Sequence, residues 1–331
     1  MARTRPSPPI PLPRRERGGE KFSLVIPVRN GGELLLRNIR SICDQTSKPS
    51  EILIYDTEST DGAVQQIKAL VGKIPLKVFP VLKQEFDHGG TRNAALAQAR
   101  FPWVLYMTQD AVCAEPESLA RLLASPTGKN VVAVYGRQLP HAEANPLAVT
   151  ARAANYGERR IEQNMQRAAE LGIKTWFCSN SFCIWNRAAL IQAGGFAEKL
   201  ILGEDMHAAA RLIQAGGTVI YEPAAQVFHS HNYSAREEFR RYFDIGVFHS
   251  HNADLLFCAG NANKEGLKFV LRQAKSLWQQ RALFSLVRLP FHIAAKFLGY
   301  KLGRKSTLLG TCVSRFLSMH RNYWPAQRST H

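Results

Sequence analysis

The sequence lacks the features of disulfide-stabilised, secreted or membrane-spanning proteins. Its six cysteines are scattered over 331 residues with no Cys-x-x-Cys pair, so a reducing compartment fits best. No apolar run reaches the roughly 18 residues that a spanning helix needs. The first twenty residues have no apolar stretch of the kind found in signal peptides. We therefore expect a cytoplasmic protein, or one attached to a membrane from that side.

Acidic residues are scarce near the C-terminus. Residues 264–331 hold thirteen Lys or Arg and one acid, a net charge of +12, whereas residues 22–263 carry +1 and residues 1–21 carry +4. The central region is therefore a nearly neutral globule, which argues against a nucleic-acid-binding core. The basic C-terminal region predicts a surface that faces an anionic partner. The Pro- and Arg-rich residues 1–21 are expected to be a disordered leader.

From Phe22 onward, short β-branched runs alternate with helical patterns. This alternation predicts an α/β fold with a mostly parallel central sheet covered on both faces. The predicted strands of the first half are 22–28, 51–55, 76–81, 103–107 and 131–135, and its helices are 33–44, 61–71, 90–100 and 115–124. The second half predicts helices at 144–171, 187–193 and 206–215, strands at 182–185 and 218–221, and helical structure from about residue 235.

Polar residues follow several of the predicted strands. In an open parallel sheet these strand ends meet at the edge where ligands bind. Asp110, which ends an apolar strand, suits Mg²⁺ or Mn²⁺, although a helix cap is the competing interpretation. Asp56 is either a ligand of a base or ribose, or a turn residue. Arg29 and Gln109 complete this cluster.

The stretch FDHGGTRNAALAQAR (86–100) combines two glycines with a following helix. Backbone N–H groups at such a helix start, together with Arg92, suit an anion such as a phosphate. The alternative is a glycine-rich loop that precedes a helix by chance.

Two further groups carry titratable side chains. Glu204 and Asp205 are adjacent carboxylates at a helix start, where mutual repulsion would raise one pKa and suit that group to act as a base. Acidic residues also favour any helix N-terminus because of the helix dipole. His229 and His231 have the i, i+2 spacing that places both on one side of an extended segment, where imidazole could complete a metal site. The second His-Ser-His triplet, His249 to His251, is read as surface or packing residues.

The segment 281–305 is basic and rich in bulky apolar residues. On a helical wheel, five polar residues form one stripe: Arg281, Ser285, Arg288, His292 and Lys296. Pro290 is expected to kink this helix into two segments. The pattern favours an interfacial helix on anionic lipid, the alternative being a helix that packs on the catalytic domain with a solvated basic edge.

Together these motifs resemble the family 2 inverting glycosyltransferases, and more closely their bacterial rhamnosyltransferase-like branch. The resemblance spans residues 22–250 in order, and the tail GYKLGR (299–304) fits the same branch. The segments that carry it are SLVIPVRN (23–30), EILIYDTESTDG (51–62), FDHGGTRNAAL (86–96), YMTQDA (106–111), CSNSFCIWNRAALIQAGGF (178–196), GEDMHAAARLIQAGG (203–217) and VFHSHNYS (227–234).

The resemblance implies a nucleotide-diphospho-sugar transferase fold of the GT-A type over residues 22–250, followed by a basic helical, membrane-associating tail at 251–331. It assigns the nucleotide-sugar pocket to Pro27, Arg29, Asp56, Arg92 and Gln109, and the metal to Asp110 with a histidine, His229 before His231. Asp205 would be the base that deprotonates the acceptor hydroxyl, and Glu204 would position the acceptor or that base.

Two departures from the family pattern bear on the donor. The usual Asp-x-Asp is Thr108-Gln109-Asp110 here, and the usual aspartate pair after the second strand is Tyr55-Asp56. Both variants resemble the rhamnosyltransferase branch, which favours dTDP-L-rhamnose as donor and a lipid-linked saccharide as acceptor at the inner face of the plasma membrane. The alternatives are a UDP-sugar donor and a sugar nucleotidyltransferase, although the latter needs its glycine-rich loop after the first strand. A nucleic-acid-binding protein would leave Asp110 and the Glu204-Asp205 pair unexplained.

Overall fold

A nine-stranded mixed sheet forms the centre of the molecule. The computed structural model describes residues 21–325 apart from 127, 129 and 258–261, and for 262–269 it describes the backbone alone. Of the expected leader at 1–21, only Lys21 lies within the described residues.

The first half of the sheet is wholly parallel, with strand order β3-β2-β1-β4. Buried β-branched runs make these strands, and helices whose apolar faces cover the sheet lie between them. The strands are β1 (Phe22–Val28), β2 (Glu51–Asp56), β3 (Leu76–Pro80) and β4 (Trp103–Met107), and the helices are α1 (Gly32–Cys43), α2 (Ala63–Leu70) and α3 (His88–Gln98). The predicted α/β alternation is confirmed here, two strands matching to the residue.

The second half of the sheet mixes directions. Its strands are β5 (Val112–Cys113), β6 (Val131–Leu139), β7 (Ile161–Gln163), β8 (Phe182–Asn186) and β9 (Thr218–Phe228). Strand β8 runs antiparallel to β4 and β6, while β9 is parallel to β6 and antiparallel to β5 and β7. The helices are α4 (Ser118–Ala124), α5 (Pro146–Asn155), α6 (Ala168–Leu171), α7 (Arg187–Gln192) and α8 (Glu204–Gln214).

The predicted single helix at 144–171 is wrong. Helix α5 ends at Asn155, and the chain then forms the edge strand β7 against β9. The buried Gln163 side chain donates to the backbone carbonyls of Lys174 at 2.6 Å and Phe177 at 2.7 Å. These long-range hydrogen bonds override the helical preference of the local sequence.

Within the described residues, four helices follow the sheet. They are α9 (Ala235–His251), α10 (Ala262–Gln279), α11 (Leu283–Gly303) and α12 (Ser306–Leu317), and a short 3₁₀ turn at Arg321–Tyr323 comes after them. Helix α9 begins with a capping box in which Ser234 and Glu237 bond each other's backbone N–H groups. None of the helices in the described ranges is long and apolar enough to cross a membrane.

Glycines bring α9 and α11 into backbone contact. A Cβ on Gly299 would lie 2.3 Å from the carbonyl oxygen of Phe239, and one on Gly303 would lie 2.0 Å from that of Phe243. On the other helix, a Cβ on Gly246 would lie 2.4 Å from the carbonyl oxygen of Tyr300. Only glycine permits such an approach, so the GYKLG sequence fixes how α11 docks.

The expected division of α11 into two segments at Pro290 is wrong. The helix runs from Leu283 to Gly303 without interruption at Pro290. The polar stripe is also not solvated throughout, because His292 is buried and Lys296 points inward to pair with Glu238 on α9 at 3.1 Å. Packing along α9 compensates for the hydrogen bond that Pro290 cannot make. The same packing turns His292 and Lys296 toward the protein.

We expect the substitution Gly303→Ala to push α11 away from α9. Overpacking of this kind costs roughly 1–3 kcal/mol, so the melting temperature should fall by several degrees in a thermal unfolding experiment. Gly157→Ala is the matched control, because a Cβ at Gly157 would meet no atom within 4 Å. Equal melting temperatures for the two variants would contradict the close helix crossing.

Candidate active site

A cleft of about 1780 Å³ opens beside the carboxyl ends of β1 and β4. Both of these strands are buried, and the chain turns polar directly after each of them. The cleft walls include Pro27 and Arg29 from the first strand end, Gln109 and Asp110 from the second, and His229 and His231 after β9. The structure therefore brings most of the predicted site residues together.

Asp110, His229 and His231 form a cluster with the geometry of a metal site. The Asp110 carboxylate lies 3.4 Å from Nε2 of His229 and 3.8 Å from Nε2 of His231. One ligand atom from each residue falls within a set no more than 4.8 Å across. One carboxylate with two imidazoles is a donor set that holds divalent transition metals.

Strand pairing explains why these distant residues meet. Val112 of the two-residue strand β5 pairs antiparallel with Phe228 at the end of β9. The residues before β5 and after β9 are therefore neighbours, which puts Asp110 beside His229. The His229 N–H donates to the carbonyl oxygen of Leu139 at 2.8 Å and continues the pairing of β9 with β6. The strand predicted to end at residue 221 continues to Phe228 for this reason.

Gln138 on β6 orients the first histidine. Its Oε1 lies 2.8 Å from Nδ1 of His229 and also accepts from the Arg152 guanidinium at 2.5 Å. Nδ1 of His229 is therefore the donor, and Nε2 faces Asp110 with a free lone pair. Such an outer partner sets the tautomer that a metal-binding histidine needs.

The electrostatics of the cluster also favour cation binding. Burial tends to raise the pKa of Asp110, but the nearby side chains of His229 and His231 hold that pKa well below the usual range. Burial lowers the pKa of His229, and burial together with His229 lowers the pKa of His231 to about 4. At neutral pH the cluster is one carboxylate and two neutral imidazoles, all in the form that ligates metals.

The adjacent carboxylates Glu204 and Asp205 lie in the first turn of α8. Glu204 is buried and pairs with the Arg92 guanidinium at 3.0 Å. Asp205 accepts the backbone N–H of Asn180 at 2.9 Å and that of Met206 at 2.8 Å. The two side chains therefore have different partners, a cation for one and backbone amides for the other.

These partners separate the two pKa values. Burial raises the pKa of Glu204, but Arg92 and His88 outweigh burial and leave that pKa below its ordinary value. Burial first, and then the charge of Glu204, raise the pKa of Asp205 to about 7. The sequence-based expectation that one carboxylate of this pair becomes a base is consistent with this environment.

Strand β8 brings the loop that contacts the carboxylate pair beside the loop that holds Asp110, although neither carboxylate lines the cleft. Met107 at the end of β4 pairs antiparallel with Phe182 at the start of β8. The Thr108 N–H then approaches the Ser181 carbonyl oxygen at 3.4 Å, so the loop that leads to Asp110 runs beside the loop that contains Asn180. Asn180 is fixed by Trp185, whose indole N–H donates to its Oδ1 at 2.8 Å.

The other strand-end residues have structural partners. Gln109 accepts the Arg29 N–H at 2.8 Å and donates back to the Arg29 carbonyl at 3.1 Å, which fixes the loop after β1. Asp56 accepts the Ser59 N–H at 3.2 Å as a turn residue does. Within the described part of the chain the cleft wall at this point is made by Thr57 and Glu58 rather than by Asp56.

The glycine-rich loop corrects the expectation of an anion site at the start of α3. The Asp87 carboxylate caps this helix by accepting the Gly90 N–H at 2.6 Å, so the helix N-terminus already holds an anion of the chain. Gly89 is required for a different reason, because a Cβ there would lie 2.0 Å from the Ala197 carbonyl oxygen. Arg92 lines the cleft but has Glu204 as its partner.

Two sets of residues in this site escaped the sequence analysis. Gln138 and Asn180 are neutral amides, and only the tertiary structure shows what they bond. The second set is the C-terminal segment Met319–Pro325, which also lines the cleft although the sequence placed it in the tail. Its aromatic residues, Tyr323 and Trp324, were the signal available in the sequence.

Comparison with known proteins identifies relatives along most of the chain. The model of the family "Glycosyl transferase family 2" matches residues 23–194. The chain is 42% identical over 307 residues to the O-antigen chain rhamnosyltransferase WbaN of Salmonella anatum, which covers 92% of this chain and 95% of that protein. It is 41% identical to RfbN of Salmonella typhimurium, described in the same words, with coverage of 92% and 96%.

Solved structures share the fold at lower identity. The mannosyltransferase PcManGT from Pyrobaculum calidifontis, in complex with GDP-Man and Mn²⁺, matches with a TM-score of 0.55 at 16% identity, covering 96% of this chain and 88% of that one. S. aureus TarS 1–349 in complex with UDP-GlcNAc matches with a TM-score of 0.53 at 16% identity, covering 88% and 92%. The expected α/β nucleotide-sugar transferase fold is confirmed.

We expect Asp110→Asn to weaken Mn²⁺ binding by at least about tenfold, because it removes the charged ligand of the cluster. Electron paramagnetic resonance of free Mn²⁺ in a titration of the protein measures this directly. Asp44→Asn, an exposed carboxylate after α1, is the control and should bind Mn²⁺ like the unaltered protein. Equal Mn²⁺ affinity in both variants would show that the cluster is not a metal site.

Proposed function

The chain belongs to glycosyl transferase family 2, and on that premise we propose that it transfers L-rhamnose from dTDP-L-rhamnose, with inversion, to a hydroxyl of a lipid-linked saccharide. The observation that carries the mechanism is the carboxylate pair at the start of α8, in which Arg92 neutralises the buried Glu204 and the pKa of the partly buried Asp205 is raised to about 7. The choice of rhamnose follows the two Salmonella relatives, each described as an O-antigen chain rhamnosyltransferase.

Asp205 is the proposed base. Its carboxylate takes the proton of the acceptor hydroxyl while the acceptor oxygen attacks the anomeric carbon from the face opposite the diphosphate. The bond from the anomeric carbon to the diphosphate oxygen breaks, and its electron pair leaves with the nucleoside diphosphate. A base with a pKa near 7 is about half deprotonated at neutral pH and still basic enough to accept the proton.

Negative charge develops on the leaving diphosphate. Asp110, His229 and His231 would hold a divalent cation that supplies positive charge there. Two imidazoles beside one carboxylate suit Mn²⁺ better than Mg²⁺, which prefers oxygen ligands. Mn²⁺ is therefore the proposed ion, and Mg²⁺ its weaker substitute.

The nucleotide lies, in this proposal, along the carboxyl ends of β1 and β2. Pro27 and Arg29 line the cleft there, with Asp56 close behind the wall formed by Thr57. Gln109 acts indirectly, since both of its hydrogen bonds hold the backbone of Arg29. Glu204 positions Asp205 through its charge and through Asn180, whose side-chain amide donates to Glu204 at 3.3 Å.

The C-terminal helices support membrane attachment. Large apolar side chains on α10 to α12 are exposed to solvent, among them Trp278, Phe284, Val287, Phe291, Leu308 and Phe316. Arg288 and Lys301 lie between them, each over the ring of a neighbouring phenylalanine. Bulky apolar groups interleaved with cations suit a surface of anionic lipid. We propose that the protein binds the inner face of the plasma membrane through this surface, where a lipid-linked acceptor is found.

Asp205→Asn should lower the rate of rhamnose transfer by roughly 10²–10⁴-fold, because the amide cannot accept the proton. Binding of dTDP-rhamnose with Mn²⁺ should still raise the melting temperature as in the unaltered protein. The rate of the unaltered enzyme should rise with pH through an inflection near 7, since only deprotonated Asp205 acts. Glu204→Gln should move that inflection to lower pH, because the adjacent negative charge that raises the pKa is gone.

Unchanged turnover of Asp205→Asn would remove Asp205 from the base role. A melting-temperature shift with UDP-sugars alone would keep the transferase and discard rhamnose. The absence of a shift with any nucleotide sugar would contradict the proposed function as a whole.

The double substitution Phe284→Ser with Phe291→Ser should release the protein from vesicles that contain phosphatidylglycerol. Losing two aromatic contacts with the lipid should lower the partition coefficient between vesicles and buffer at least about tenfold in a sedimentation assay. Ile191→Ser, an exposed apolar residue on α7, is the matched control and should bind like the unaltered protein. Undiminished vesicle binding of the double variant would show that this surface does not bind lipid.

A further inference from the structure

The segment that follows α12 belongs to the catalytic cleft. Every residue from Met319 to Pro325 lines the same cavity as Asp110 and Arg29. The His320 ring lies 5.7 Å from the ring of His88, which precedes Arg92 by one helical turn of α3. The end of the described chain therefore reaches the residues that surround the proposed base.

A buried aspartate on α9 holds this segment in place. The Asp244 side chain is fully buried and accepts the backbone N–H groups of Met319 at 2.9 Å and His320 at 3.0 Å. A charge buried this deeply is retained where it is hydrogen-bonded, so the segment is docked at one position. This docking depends on tertiary structure, because α9 and the segment are far apart in the sequence.

Two aromatic side chains of the segment form a partly exposed surface. Trp324 packs beside Phe243 with ring centroids 6.4 Å apart, and Tyr323 meets Trp324 edge to face at 5.2 Å. The Tyr323 hydroxyl lies 3.4 Å from Nδ1 of His251. Aromatic rings held in place by such packing suit the apolar face of a sugar ring.

Three arginines on this side of the cleft have no acidic partner among the described residues. Arg241, Arg315 and Arg321 line the cavity, and none pairs with a carboxylate among the residues that the structure describes. Arg241 lies over the Tyr233 ring at 5.7 Å and is close enough to lower the pKa values of both His231 and His320, although burial is the larger cause for each. The guanidinium thus stands between the metal-binding cluster and the C-terminal segment.

We propose that the docked segment Met319–Pro325 is the acceptor-binding wall of the cleft. In this proposal Tyr323 and Trp324 contact the sugar that is extended, and Arg241, Arg315 and Arg321 bind the diphosphate that joins the saccharide to its lipid. Guanidinium groups without carboxylate partners are suited to bidentate binding of phosphate oxygens. The inference rests on the proposed function, since it assigns the acceptor of that reaction.

A diphosphate could also come from the donor, and the test distinguishes the two sources. Equilibrium binding is measured by fluorescence anisotropy for two labelled acceptors with the same saccharide, one joined to a short prenyl chain through diphosphate and the other to a neutral alkyl chain. Donor binding is measured separately from the melting-temperature shift with dTDP-rhamnose and Mn²⁺. The variants are Arg321→Ala and Trp324→Ala, with Trp324→Phe as the conservative change and Arg159→Ala, an exposed arginine outside the cavity, as control.

Arg321→Ala should lower the affinity for the diphosphate acceptor by about tenfold, since it removes one charged partner of the phosphate oxygens. The affinity for the neutral acceptor should be unchanged. Trp324→Ala should lower the affinity for both acceptors, and Trp324→Phe should keep most of the affinity of the unaltered protein. Donor binding should be unchanged in all variants, which also shows that the cleft is folded.

Weakened donor binding in Arg321→Ala would assign the arginines to the donor and overturn the proposal. Acceptor affinities equal to those of Arg159→Ala in both cleft variants would remove the segment from the acceptor site. Because the assay measures binding alone, intact acceptor binding without any rhamnose transfer would refute the proposed reaction and leave the acceptor wall standing.

Discussion

The buried ion pair between Arg92 and Glu204 determines the chemistry of the cleft. Two adjacent carboxylates in the first turn of α8 would both resist ionisation in a buried site. Arg92 pairs with only one of them, at 3.0 Å, so Glu204 stays charged. Burial and repulsion from Glu204 then raise the pKa of Asp205. Helix α3 supplies the cation, α8 the carboxylates and the loop before β8 the amide of Asn180. The packing of these three elements therefore gives one member of the Glu-Asp pair a cationic partner and leaves the other with a raised pKa.

The sequence was sufficient to predict the first half of the sheet and the strand ends that hold Asp110 and Arg29. Buried parallel strands there are short apolar runs, and polar residues follow each one directly. The carboxylate pair and the His-Ser-His triplet were also visible, because charged and imidazole side chains are rare next to apolar segments. What each side chain bonds was not predictable. The Arg92 side chain is suited to bind an anion, and only the fold shows that this anion is the Glu204 carboxylate.

The errors have a common physical origin in long-range pairing. The segment at 144–171 has helical composition, yet strand β7 and the hydrogen bonds of Gln163 divide it. The polar stripe of α11 was interpreted as part of an interfacial helix on lipid or as a solvated basic edge, and its His292 and Lys296 instead face α9. In each case the local sequence showed which residues are polar, but it did not show which distant residues they contact. The role of the C-terminal segment in the cleft was missed because its anchor, Asp244, lies on another helix.

The glycine crossing of α9 and α11 links the catalytic cleft mechanically to the surface proposed to bind lipid. Helix α9 carries Arg241 and Asp244 and begins just after the His-Ser-His triplet, while α11 carries the exposed Phe284 and Phe291. Backbone contact at Gly299 and Gly303 leaves no side-chain layer that could slide or compress between the two helices. The distance between the cleft and the exposed apolar side chains of α11 is then fixed by the packing of these two helices. Under the proposed membrane attachment, this fixed spacing would hold the cleft at one distance from the lipid surface.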